Sequence, residues 1–311
     1  MNRRLLLAGA GVLAGAGLVA GASAVARSRR PAAPVTVEYL GPDTPEHQGG
    51  AGSPLLLIHG FTVTWRTWKP VLPLLEQHHQ VIAPTLLGHS GAAVFADGVQ
   101  PSLDALVDGV EAELDRLGLD RVHVAGNSLG GWIALELARR GRARSVTAFS
   151  PAGGPATAAR TAMVAVGFRA GLVALDALGE RAERLTLTPR GRRMLFSGQF
   201  EHPERVEPAE LIADLRAVRN APLLKPILAA ITSSPIQPLP DPGCPVRVVW
   251  ARRDRIIPFR YYGEPMLRQL PTAELIMLDG VGHVPMPDDP QAVARLILEV
   301  TNAVDARTEV V

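Results

Sequence analysis

Short, wholly apolar runs alternate with longer segments of helical spacing along most of this chain, and that alternation predicts a layered fold. Leu55-Leu56-Leu57-Ile58 has no polar position, as a strand covered on both faces requires. Residues 81–83, 122–125, 146–149, 246–250 and 275–278 read as further strands. Residues 35–40 alternate in polarity and read as a strand too. Residues 41–53, rich in Gly, Pro and polar side chains, read as a loop. Helical spacing covers residues 71–77, with Pro70 and Pro73 near its start, and residues 103–117, with Ser102 as N-cap and Gly118 as stop. It returns over residues 129–140, stopped by Gly141, and over residues 292–304. Strands that alternate with helices make a mostly parallel sheet with helices on both faces, the α/β class. From Ser150 to Pro240 the rhythm changes to helical patterning with several prolines and no buried strand, which reads as an insertion.

The first thirty residues follow a different pattern. An uncharged run, residues 5–26, lies between Arg3-Arg4 and the trio Arg27, Arg29 and Arg30. As a helix its length would be about 33 Å, enough to cross a bilayer. Gly9, Gly11, Gly15, Gly17 and Gly21 leave it only mildly apolar. Asn2-Arg3-Arg4-Leu5-Leu6-Leu7 resembles a twin-arginine export signal, and Ala22-Ser23-Ala24 fits a small-x-small cleavage site. Residues 1–30 are therefore expected to be a signal peptide, or an N-terminal membrane anchor, plus linker. Residues 31–311 would carry the folded domain. The expected location is the cell envelope or the exterior, with membrane attachment through residues 5–26 if the segment is retained.

Composition narrows the classes. The chain has 311 residues, of which 47% are hydrophobic and 20% charged, so a large core can form. The net charge is +2, and Arg3 and Arg4 account for two positive charges. No basic stripe with interleaved aromatics remains, so no nucleic-acid partner is expected. The lone cysteine, Cys244, excludes an internal disulfide and reads as a packing residue. No Cys/His cluster has metal-ligand spacing, so neither metal nor cofactor is expected.

The chemistry lies at strand ends. Gly126-Asn127-Ser128-Leu129-Gly130 is a Gly-x-Ser-x-Gly pentapeptide between a strand and a helix. A sharp turn there strains the serine backbone, and glycines two residues away leave it room. Serine needs a base, and the base an orienting acid. Of eight histidines, His283 stands just past the last strand, at the sheet edge where open α/β folds bind ligands. His78, His79 and His202 read as surface residues, His123 as part of a strand and His47 as part of a loop. Asp254 follows the strand 246–250, with Asp279 its nearest rival; Asp288 and Asp289 read as caps of the final helix. Two backbone donors are needed for an oxyanion: the N–H of Leu129, and that of Phe61 in the loop His59-Gly60-Phe61.

With these pieces in this order, followed by Gly282-His283, the chain from about residue 35 to its end resembles the α/β-hydrolase family. The resemblance implies an eight-stranded, mostly parallel sheet with a helical cap inserted after the sixth strand, about residues 154–240. It carries Ser128, Asp254 and His283 as the triad, Phe61 and Leu129 as the oxyanion hole, and His59, Gly60, Gly126 and Gly130 as supporting positions. Thr85 stands where many relatives carry Asp, and the stretch before Leu55 is short for both strands of the usual edge hairpin. Epoxide hydrolases and haloalkane dehalogenases of this fold use Asp as nucleophile, and Ser128 argues against them. Gly-Asn-Ser-x-Gly-Gly is similar to the motif of carbon–carbon hydrolases of ring-fission products, but also to that of many esterases and of cofactor-free haloperoxidase-like members. The expectation is a serine hydrolase of a carboxylic ester or related acyl compound, acting on a small molecule with an apolar acyl or aromatic group. The alternatives are carbon–carbon hydrolysis of ring-fission products, prompted by Asn127, and a non-catalytic ligand-sensing protein.

Overall fold

Parallel strands need long crossovers, and those crossovers set the architecture. A computed structural model describes residues 46–154, 157–233 and 236–308. The N-terminal segment and the strand expected over residues 35–40 lie outside the described residues. The sheet comprises β1 (Glu46–Gly49), β2 (Ser53–Ile58), β3 (His79–Pro84), β4 (Val122–Asn127), β5 (Ala143–Phe149), β6 (Val246–Ala251) and β7 (Glu274–Leu278). Its order is β1-β3-β2-β4-β5-β6-β7, with seven strands among the described residues. Only the pair β1–β3 is antiparallel. Helices α1 (Leu72–Leu75), α2 (Leu103–Arg116) and α3 (Leu129–Arg139) accompany the first strands. Helices α9 (Phe259–Leu267) and α10 (Pro290–Thr308) accompany the last. Between β5 and β6 the described chain is helical: α4 (Ala158–Leu178), α5 (Glu180–Thr186), α6 (Pro189–Phe196), α7 (Pro208–Arg219) and α8 (Leu224–Ser233).

Period-two burial in the strands divides the core in two. Leu55 and Leu57 enter a cluster with Trp68, Val293 and Ile297, while Leu56 and Ile58 enter another with Leu106, Ile133 and Trp250. On α2 the buried positions are Leu103, Leu106, Val107, Val110 and Leu114, one face of a helix. Its Ser102 cap accepts a hydrogen bond from Ala105 N at 3.0 Å. Helix α3 is buried throughout from Leu129 to Ala138, so the helix behind Ser128 is clamped at the centre of the molecule.

Two local expectations are corrected and one helix is added. The loop expected over residues 41–53 contains β1, which pairs from Glu46 with Pro84 to Gly49 with Val81. Its side chains are polar and half exposed, so backbone pairing makes this edge strand and no apolar alternation announces it. Helix α9 was not anticipated, because Gly263 and the internal Pro265 interrupt its helical signal. His79, read as a surface residue, is buried. Its ring meets Ser53 Oγ at 2.9 Å and Thr301 Oγ1 at 2.8 Å, under α10. Nearby, His123 meets Ser145 Oγ at 2.7 Å and Asp305 Oδ1 at 3.0 Å.

Burial pushes the pKa values of His59, His79, His89 and His123 below 6.5. Unfolded, each titrates near 6.5, so below that pH the unfolded chain binds more protons than the folded one. Their contribution to stability is therefore complete above about pH 6.5 and declines as the pH falls below it. The urea midpoint should hold from pH 7.5 to about pH 6.5 and fall from there to pH 5.5; a midpoint that stays flat or rises below about pH 6.5 would contradict neutral burial of these rings.

Candidate active site

The strand β4 ends against α3 so closely that Gly126 and Gly130 have no space for a side chain. A Cβ on Gly126 would stand 2.1 Å from Gly130 O, and one on Gly130 would stand 2.1 Å from Ile58 O. Between them Ser128 adopts φ 56° and ψ −114°, a conformation that costs about 1–3 kcal/mol for a non-glycine residue. Three backbone bonds hold it: Ser128 N donates to Phe149 O at 2.9 Å, and Ser128 O accepts from Trp132 N at 3.1 Å and Ala152 N at 2.9 Å. Leu129 is the first residue of α3, so its N–H has no acceptor within the helix and lies at the positive end of the helix dipole.

Parallel register brings the second loop alongside. Ile58 pairs with Gly126, so His59-Gly60-Phe61 leaves β2 beside the Ser128 turn. A Cβ on Gly60 would lie 3.5 Å from both Ser128 Cβ and Asn127 Oδ1. The His59 ring is buried: its Nδ1–H donates to Gly60 O at 2.7 Å, and its Nε2 accepts from Leu86 N at 2.9 Å. That pattern requires a neutral ring, in keeping with the burial that holds its pKa well below 6.5. His89 does similar work one residue further on, its Nε2–H donating to Phe61 O at 2.7 Å. Sequence reasoning gave His89 no role, although the glycine-flanked Gly88-His89-Ser90-Gly91 following a strand end was its signal.

Asp254 and His283 meet at the neighbouring edge. Ala251 pairs with Leu278, so the loops after β6 and β7 start level. Both side chains are buried, and His283 Nδ1–H donates to Asp254 Oδ2 at 2.7 Å. The other carboxylate oxygen accepts from Ile256 N at 2.9 Å and Ile257 N at 2.8 Å. A carboxylate so filled fixes the ring tautomer and leaves the lone pair on His283 Nε2. That buried Nε2 has no hydrogen-bond partner, Ser128 Oγ included, among the described residues. The rival acid Asp279 is exposed and pairs with Arg252 at 2.7 Å.

Further groups tie these loops together. Asn127 Nδ2 donates to His283 O at 2.9 Å and to Phe149 O at 3.2 Å, so its buried amide braces the histidine loop from beneath. Asp289 caps α10, accepting from Ala292 N at 2.9 Å, as expected. Asp288, also expected to cap, instead accepts from Gly282 N, Glu201 N and His202 N, each at 2.8 Å. Glu201 in turn pairs with Arg253, and with Arg255 at 2.8 Å, on either side of Asp254. The turn after α6 thus joins the acid loop to the histidine loop. Nothing local in the sequence marks Asp288 or Glu201 for this, because their partners lie far along the chain.

Above the serine lies a cavity of about 470 Å³. Ser128, Leu129 and Phe61 form its floor, with Trp132, Tyr262, Phe168 and the inner side of α4 among its walls. No charged side chain lines it among the described residues. Helix α4 has a mean hydropathy of 1.6 and passes the length and composition test for a membrane span, the one helix to do so among the described residues. One of its sides lines this cavity, and Met163, Val166 and Val173 are exposed. Among the described residues no group of His, Cys, Asp and Glu could hold a metal ion.

The relatives agree with this architecture. The chain is 37% identical over 198 residues to epoxide hydrolase EphH of Mycobacterium tuberculosis, covering 62% of this chain and 91% of that protein. It is 31% identical over 267 residues to a pimeloyl-[acyl-carrier protein] methyl ester esterase of Methylococcus capsulatus, covering 80% and 95%. The solved 2-hydroxy-6-oxo-6-phenylhexa-2,4-dienoate hydrolase of Rhodococcus sp. strain RHA1 superimposes with a TM-score of 0.66 at 21% identity, covering 83% of this chain and 94% of that one. A profile of the alpha/beta hydrolase family matches residues 55–296, and with it this chain belongs to the alpha/beta hydrolase family.

Proposed function

We propose that this enzyme hydrolyses an uncharged carboxylic ester or related acyl compound through Ser128, His283 and Asp254. The observation that carries the reading is the buried His283–Asp254 pair, with Nε2 left unpartnered, in a fold whose nucleophile position holds a strained serine. In this scheme Ser128 Oγ attacks the acyl carbon as His283 Nε2 takes its proton. Asp254 keeps the proton on Nδ1 and stabilises the imidazolium. The N–H groups of Leu129 and Phe61 receive the oxyanion. His283 then protonates the leaving group, and water releases the acyl group by the same steps in reverse. The missing Ser128–His283 hydrogen bond is no obstacle, because catalytic bonds commonly tighten only when substrate binds.

The relatives' reactions separate on chemistry. A serine that opened an epoxide would form an ether, with no acyl carbon for water to attack. The serine therefore favours acyl transfer over the epoxide chemistry that the M. tuberculosis relative is named for. The Methylococcus relative is named for methyl ester hydrolysis, in line with this reading. Carbon–carbon hydrolysis is the weaker reading: the Rhodococcus enzyme acts on a dienoate, an anion, and the cavity here offers no cation among its described lining residues. Asn127, which suggested that reaction, is committed to backbone carbonyls.

Purified protein should turn over p-nitrophenyl esters, and Ser128→Ala should lower kcat by about a thousandfold or more. A fluorophosphonate probe should label the wild type and spare the variant. Equal turnover by the two proteins would refute the assignment, and an unlabelled, folded wild type would favour a non-catalytic protein.

We also propose that residues 1–30 direct export, a reading supported by Arg3-Arg4 and Ala22-Ser23-Ala24. Fractionation of the native cell should find a mature N-terminus near Val25 outside the cytoplasm, or the intact chain in the membrane if the segment is kept. Intact protein confined to the cytosol would contradict both forms.

A further inference from the structure

The cavity over Ser128 shares walls with two smaller ones. A second cavity of about 160 Å³ lies within the cap, walled by Leu172, Leu175 and Leu178 of α4 and Leu215 of α7. A small third one, about 40 Å³, lies toward Met163 and Tyr261. Phe168 and Ile256 line all three. The two side chains are therefore the partition between the chamber above the serine and the cap chamber, while Val164 and Tyr262 also stand between the serine chamber and the third one. Phe168 is half-buried and meets Phe61 edge-on, with ring centroids 5.4 Å apart. Its same-face neighbours along α4 are Val164, Ala165, Gly171 and Leu172, of which Gly171 carries no side chain. Asp214 is the single charged residue lining the cap chamber, and none lines the serine chamber among the described residues.

We propose that the substrate carries an unbranched, uncharged alkyl chain whose far end passes between Phe168 and Ile256 into the cap chamber. This rests on the ester-hydrolase reading above and names its substrate class. A charged tail would lose hydration with no counter-charge in the serine chamber to replace it, which is costly. To pass from one chamber to the other a group must move the Phe168 and Ile256 side chains aside, and a single methylene chain needs less displacement than a branched or fused-ring group. Each methylene that reaches the cap chamber adds burial, so specificity should rise with chain length until that chamber is filled.

The test is a chain-length profile in two series: p-nitrophenyl alkanoates, which lengthen the acyl side, and alkyl acetates, which lengthen the alcohol side. The series in which kcat/KM climbs identifies the side that holds the chain. Ala174→Phe fills the cap chamber, because Ala174 lines that chamber and not the serine chamber. Its ratio of long-chain to acetate-ester kcat/KM should fall by about tenfold or more, the worth of roughly two buried methylenes. Phe168→Ala should raise the same ratio by removing the partition. A readout that needs no turnover is displacement of the fluorescent probe N-phenyl-1-naphthylamine from Ser128→Ala protein by methyl alkanoates and by alkyl acetates of increasing length. Tighter displacement by longer esters, lost when Ala174→Phe is added, supports the chain site even if no ester is cleaved, in which case the ester-hydrolase reading alone fails. Turnover with the same chain-length profile in wild type and folded Ala174→Phe, or displacement independent of chain length, would overturn the proposal.

Discussion

The turn between β4 and α3 leaves no room for a Cβ at Gly126 or Gly130, and the site is organised around that contact. Both would-be side chains run into backbone, so no rotamer change could relieve the clash. The close approach lets α3 begin directly under Ser128, with the free Leu129 N–H beside it. It also forces Ser128 to positive φ, a strain of about 1–3 kcal/mol that must be held in place by the surroundings. The burial of α3 from Leu129 to Ala138 provides that hold. The register of β2 against β4 then places Gly60 within van der Waals reach of the serine.

The remaining loops would be free to drift if only the sheet positioned them. Neutral buried rings prevent this on one side: His59 joins the loop after β2 to Leu86, and His89 holds the Phe61 carbonyl. Carboxylates prevent it on the other. Asp254 is filled by two backbone N–H groups and His283, and Asp288 gathers three N–H groups from the histidine loop and the cap. Glu201 links the cap to the arginines around Asp254. Cap and core therefore share the residues that align His283, so movement of the cap at this junction would disturb His283 and Asp254 together. Helix α4, at the start of the cap, makes none of these contacts and forms the apolar roof.

Much of the layout is legible in the sequence because burial on both faces of a parallel sheet leaves wholly apolar runs, as in Leu55–Ile58. Gly126, Ser128 and Gly130 are legible because a strained turn restricts residue choice locally. Asp254 and His283 are legible by position, each just past a strand. What escapes is held by long-range or backbone contacts. Strand β1 is polar and exists through pairing with β3. His79 reads as part of a polar surface turn but lies under α10. Asp288 sits in a capping position and spends its carboxylate elsewhere, on partners 86 and 87 residues away.

The central claim is that Ser128 and His283 act as one unit, and a double-mutant cycle tests it most directly. Ester hydrolysis would be measured for wild type, Ser128→Ala, His283→Ala and the double variant, with folding of each checked by circular dichroism. If the serine is competent only when the histidine takes its proton, either single change should cost nearly the full amount and the double variant should be no slower than the singles. Independent losses that multiply in the double variant, or a His283→Ala protein as active as wild type, would contradict the account.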